Sequence, residues 1–80
     1  INFNNVTLKD YGKIKRGLKK SFKTIPCLSG NRSVVETFDI VSADSKLSIT
    51  YFKTNTLQIQ EDSSNNSKNV IKAIHATLNL

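Results

Sequence analysis

Seven cationic side chains, Lys9, Lys13, Lys15, Arg16, Lys19, Lys20 and Lys23, fall in a short stretch whose only anion is Asp10. Amines and a guanidinium at this density neutralise phosphates and release their counterions, a chemistry that needs no particular base sequence. On a merely solvated helix face the same groups serve solubility, so the row names a chemistry before it names a partner. Arg32, in the turn-forming stretch LSGNRS at 28–33, offers its fork to a phosphate or to water. A second kind of surface comes from Thr50, Gln58 and Phe52. Hydroxyl and amide groups beside a flat ring can sit against a sugar–phosphate groove or stack on a base. The candidate nucleic-acid contacts are therefore Lys13, Arg16, Lys19, Lys20, Lys23, Arg32, Thr50, Phe52 and Gln58.

No catalytic constellation emerges. One histidine, His75, stands far from any Cys, which leaves no His-based metal triad and no Ser/His/acid set. It reads as an exposed or rim residue. Cys27 is alone, so neither an internal disulfide nor a cysteine metal cluster can form, and it reads as a small buried hydrophobe. Glu61 and Asp62 could hold a divalent ion, but EF-hand spacing is missing and solvated loop acids are the simpler reading. Gly30-Asn31-Arg32 lacks the Gly-Lys-Ser/Thr ending of a phosphate-binding loop and precedes a strand pattern instead of a helix. The chain is thus read as non-catalytic, with no metal and no cofactor.

The elements that must position these groups follow from periodicity. Residues 1–6 alternate weakly and predict a short strand. Over Thr7 to Ile25, Leu8, Tyr11, Ile14, Leu18, Phe22 and Ile25 recur every three or four positions and predict an amphipathic helix, ending before Pro26. Thr7 with Asp10 has the form of a capping box. Gly12 and Gly17 each weaken such a helix by about 1 kcal/mol relative to Ala, so packing has to sustain it. Residues 26–33 predict a loop. From Val34 the period becomes two. Val34, Phe38 and Ile40 take one side and Val35, Thr37, Asp39 and Val41 the other. A turn follows at Ala43-Asp44-Ser45. Residues 46–53 place Leu47, Ile49 and Tyr51 opposite Ser48, Thr50 and Phe52. Thr54-Asn55 marks a hairpin, with Asn accepting a positive φ. Leu57 and Ile59 then alternate with Thr56, Gln58 and Gln60. A second helix over 68–80, capped by Ser64, Asn65 or Ser67, aligns Val70, Ile71, Ile74 and Leu78. The expected fold is α+β: an antiparallel sheet of three to four strands, two helices on one face, in the order strand, helix, three strands, helix.

Eighty residues make a single small domain with one thin core. A start at Ile1 and an apolar pattern running to Leu80 suggest a piece of a longer protein. The formal charge of +6 is uneven: the first forty residues hold eight cations and three anions, the rest four and three. That bias favours an anionic partner. No apolar run reaches the roughly 20 residues of a membrane span, so no membrane partner and a cytoplasmic location are expected.

The stretch LSITYFKTNTLQIQ, residues 47–60, resembles TATA-box-binding-protein-like (TBP-like) domains, in which a strand, a tight turn and a "TLxIQG" strand precede the last helix. TLKDYGKIKRGLKK before it and SKNVIKAIHATL after it follow the same order of elements. Such domains form the N-terminal substrate-binding part of type-three ribonuclease H and of phage-defence endoribonuclease toxins. LSGNRS is similar in character to the Gly/Arg loop of the toxins. The resemblance implies a curved sheet whose open face, with Thr50, Phe52, Gln58 and Gln60, binds nucleic acid, and a catalytic domain elsewhere. In this chain Glu61 follows Gln60 where those families carry Gly, and Asn55 occupies the turn. The double-stranded-RNA-binding domain is the runner-up fold, although its Gly-Pro-x-His loop is absent and its Lys-Lys-x-x-Lys cluster is reduced to Ser67-Lys68 with Lys72. The expected function is a nucleic-acid-binding module (RNA, DNA or hybrid) of a larger nuclease or regulator. The alternative is a protein-interaction or homodimer module with a solubilising lysine surface.

Overall fold

A computed structural model of the chain describes residues 1–41, 46–60 and 66–78. Among them β1 (Asn2–Phe3), α1 (Leu8–Ser21), β2 (Lys23–Cys27), β3 (Val34–Val41), β4 (Lys46–Phe52), β5 (Leu57–Gln60) and α2 (Asn66–Leu78) follow in order. The strands form one open sheet, β1-β5-β4-β3-β2, with every neighbouring pair antiparallel. The α+β class agrees with the sequence expectation. The strand count does not: the sheet has five strands, because the expected helix over 7–25 is two elements. The expected turn at 43–45, the acid pair Glu61–Asp62 and the cap candidates Ser64 and Asn65 lie outside the described residues, while Ser67 falls inside α2.

Two neighbouring residues explain the helix end. Phe22 is extended, with φ −137° and ψ 155°, although its N–H still donates to the Leu18 carbonyl. Beyond it Thr24 and Ile25 are β-branched, and Ile25 precedes a proline, which excludes helical backbone there. Pro26 also decides where the strand can sit. Lacking an N–H, it is tolerated at a sheet edge with its nitrogen facing away from β3, and β2 is an edge. Ile25 continued the helical spacing by coincidence. It pairs with Asp39 and leaves its side chain 43 % exposed. At the other end Thr7 caps α1, its hydroxyl accepting from the Asp10 N–H at 3.2 Å. Leu8, expected on the inner stripe, is 66 % exposed, so that stripe begins at Tyr11.

The core lies between one sheet face and both helices. Phe38, Ile40, Leu47, Ile49, Tyr51, Leu57 and Ile59 form the floor; Tyr11, Ile14 and Leu18 from α1 and Val70 and Ile74 from α2 cover it. Full burial of each aliphatic side chain contributes about 1.5–3 kcal/mol, enough to hold α1 in helix despite its two interior glycines. Alternation breaks once. Val34 pairs with Phe52 while Glu36 pairs with Tyr51, so a bulge separates Val34 from the Phe38 side on which it was expected. The opposite face of the sheet carries no helix among the described residues.

The β4–β5 turn closes as expected on Asn55, at φ 63°. Its carbonyl accepts from the Val6 N–H at 2.8 Å, and the Tyr51 hydroxyl donates to the Val6 carbonyl at 2.6 Å while lying 3.0 Å from Asn55 Oδ1. The turn, the link from β1 to α1 and the middle of the sheet are thereby tied together.

Candidate nucleic-acid interface

With α1 packed through Tyr11, Ile14 and Leu18, the helical repeat places the cations. At about 100° per residue, Lys9, Lys13, Arg16 and Lys20 fall within about 60° of one another on the side away from the sheet. All four are exposed, and none has an ion-pair partner among the described residues. Their spacing of four, three and four makes a row about 16 Å long at 1.5 Å per residue. Lys19 is exposed on the flank next to Arg16. Lys9 belongs to this row although it was not singled out; the same spacing count would have included it.

Lys15 is different. It is ion-paired to Glu36, and the Tyr11 hydroxyl donates to the same carboxylate at 3.0 Å. Burial raises the Glu36 pKa, but the Lys15 and Tyr11 hydrogen bonds and the charge of Lys15 and Lys19 outweigh it, leaving the group below its usual value. Burial, then the neighbouring carboxylate, pushes the Tyr11 hydroxyl far up, so it remains a donor. Tyr11 stacks on Tyr51 with ring centroids 4.4 Å apart, which fixes α1 over β4.

Lys23 is not part of the helix row. It pairs with Val41 on β2, so it belongs to the uncovered side of the sheet. Register puts Thr50, opposite both Thr37 and Gln58, on that side, along with Phe52. Thr50 and Gln58 are half-buried, as is Phe52. The Thr37 hydroxyl donates to the Ile49 carbonyl at 3.0 Å and lies 3.1 Å from the Thr50 hydroxyl. Asp39, only 8 % exposed, accepts from the Ser48 hydroxyl at 2.8 Å and pairs with Lys46 at 3.2 Å. Much of this face is therefore satisfied from within. Cys27 sits here too, half-buried on an edge strand instead of in the core as expected. Its hydrogen bond to Asp39 and its burial push the thiol pKa up, against any role as a nucleophile.

Arg32 is exposed in the loop between β2 and β3. That loop is shaped by the Asn31 N–H donating to Ser29 Oγ at 3.2 Å and the Ser33 N–H donating to Asn31 Oδ1 at 2.9 Å. His75 is exposed and packs edge-on against Phe3, centroids 5.1 Å apart. Among the described residues no three His, Cys, Asp or Glu side chains converge. Among the described residues no helix is long and apolar enough to cross a membrane.

The nine candidates thus divide. Lys13, Arg16 and Lys20 lie on the outer side of α1 with Lys19 on its flank; Lys23, Thr50, Phe52 and Gln58 lie on the far side of the sheet; Arg32 lies in a loop. One ligand surface cannot join the first two groups without wrapping the domain.

The two low-pKa acids give a pH dependence with a definite sign. Asp39 is raised by burial but lowered further by hydrogen bonds from Ser48, Cys27 and Lys46 and by the Lys46 charge, ending below its ordinary 3.8; Glu36 ends below 4.5. Depressed folded-state values stabilise the fold above the unfolded pKa, and that contribution disappears as pH falls through the folded pKa. The melting temperature is expected to be level from neutral to about pH 5 and to drop below about pH 4, with Asp39→Asn flattening the drop. An equally steep drop in the variant would dissociate the effect from Asp39.

Compared with protein-family models, curated proteins and solved structures, this chain matches none.

Proposed function

We propose that the chain is a non-catalytic nucleic-acid-binding module that holds backbone phosphates on the outer side of α1. One observation carries the reading: four cations stand in a single exposed row without ionic partners among the described residues, while the neighbouring Lys15 is neutralised by Glu36. A row of free charges on a packed helix suits a polyanion and serves poorly as a grip on any neutral surface. The TBP-like resemblance of residues 47–60 belongs to the same proposal, in which the module serves a nuclease or regulatory domain of a larger protein. Contact through α1 departs from what that resemblance implies, since the row and the open sheet face are on opposite sides.

Titration of a labelled duplex across salt concentrations tests the reading. Four neutralised phosphates give a slope of log affinity against log salt near −3.6, so affinity falls by about a hundredfold between about 0.05 and 0.2 M salt. Affinity that ignores salt would overturn it.

A second reading has its own observation. Ile25 is exposed on the uncovered sheet face, which also bears half-buried Val41 and Phe52. That face would then meet a protein partner or a second copy of the chain, and Phe52→Ser would weaken such a complex while sparing salt-dependent binding. Sedimentation of a strictly monomeric chain at high concentration would remove self-association.

A further inference from the structure

We infer that the α1 row selects double-stranded over single-stranded nucleic acid, by backbone contact alone. This rests on the proposed reading of α1 as a phosphate-binding surface and adds the class of polymer.

Single-strand binders combine cations with aromatic rings on which successive bases stack. The α1 surface has no such ring. Tyr11 is buried against Tyr51, Phe22 packs against the core, and Phe3 and Phe38 are buried. Phe52 is on the far side of the sheet. Gly12 and Gly17 flank the row, each about 40° from the nearest of its four cations at about 100° per residue, with Lys19 beyond Gly12. A Cβ at Gly17 would meet nothing within 4 Å, and one at Gly12 only the Arg16 guanidinium at 3.6 Å. The surface is therefore a low, smooth rod carrying charge and no aromatic ring on which a base could stack.

Charge alone distinguishes the two polymers. Each phosphate neutralised on B-form duplex releases about 0.9 counterion, against about 0.7 on a single strand. For four phosphates the exponents differ by about 0.8, which at about 0.1 M salt favours the duplex about sixfold. Rigidity acts in the same direction. The row is fixed by the packed stripe and the Thr7 cap, and a duplex offers a preformed array of phosphates, whereas a flexible strand must first be ordered.

The test titrates a mixed-sequence DNA duplex and its separated strands against the whole chain, with Phe52→Ala and Gly17→Trp in parallel. The expected result is a duplex preference of about sixfold at about 0.1 M salt, a steeper salt slope for duplex, and no change in Phe52→Ala. Gly17→Trp, which adds a ring in open space beside the row, is expected to narrow the preference by strengthening single-strand binding. Single strands bound as tightly as duplex or tighter, or a preference lost in Phe52→Ala, would overturn the inference while leaving phosphate binding intact. Salt-insensitive or absent binding of both polymers would instead overturn the reading on which it rests.

Discussion

Lys13→Gln with Lys20→Gln lowers duplex affinity by about sixtyfold at about 0.1 M salt and halves the salt slope, from near −3.6 to near −1.8. Each removed cation withdraws about 0.9 released counterion, so two of them change the affinity by about 1.8 powers of ten at that salt. The fold is not at issue. Both side chains are exposed, and Gln is nearly as good a helix former as Lys, so stability stays within about 0.5 kcal/mol of the parent. The informative control is Lys68→Gln with Lys72→Gln. It lowers the net charge by the same amount from exposed positions on α2, outside the α1 row. If the slope followed net charge alone, the two pairs would behave alike; if the row is the surface, only the α1 pair flattens it. Lys15→Gln provides a third point, since Glu36 already neutralises that ammonium and its loss removes little binding. Fluorescence anisotropy at several salt concentrations reads all three.

How much of this was legible in the sequence depends on which signals were local. The meander and the inner rows Leu47-Ile49-Tyr51 and Leu57-Ile59 follow from strict alternation, and Asn55 from the left-handed backbone that its hairpin needs. Both helices were visible as apolar stripes, and Thr7 as a cap. The end of α1 was not, because Phe22 and Ile25 happen to extend a spacing of three and four. The competing signal lay in Thr24-Ile25-Pro26, where β-branching and the proline rule favour extended backbone earlier than the proline itself. Missing that one strand moved Lys23 from the helix row to the sheet, and Cys27 from the core to an edge. The bulge beside Val35 was illegible for another reason. An extra residue in one strand shows up only against its partner strand, and register is a property of the pair. The α1 cation row is the part of the candidate site that sequence resolves best, since residues on one helix are placed by arithmetic alone. The separation of that row from Thr50, Phe52 and Gln58 needed the packing of α1 on the sheet, which no local pattern encodes.

The second large effect concerns what keeps α1 aimed outward. Tyr51→Ala is expected to leave little folded domain. Truncating a buried aromatic costs about 3–5 kcal/mol. Removing the hydroxyl also strands the buried Val6 carbonyl, for about 1–3 kcal/mol more. A domain of this size has about 4–12 kcal/mol in total at 0.05–0.15 kcal/mol per residue. Tyr51→Phe separates the two contributions. It keeps the ring stacked on Tyr11 and loses the bond to Val6 together with the contact to Asn55 Oδ1, so it is expected to cost about 1–2 kcal/mol in urea unfolding with an unchanged m-value. Tyr11→Phe should cost less, because its acceptor Glu36 retains Lys15 and reaches solvent. That ordering follows from burial as well as from the second acceptor beside the Tyr51 hydroxyl: the Val6 carbonyl has no water to fall back on, whereas the Glu36 carboxylate does. Equal losses in the two Phe variants would mean that the tie from Tyr51 to the β1–α1 link does not set the stability of the fold. Duplex binding by folded Tyr51→Phe should match the parent, because the row depends on the stacked ring and the apolar stripe rather than on that hydroxyl.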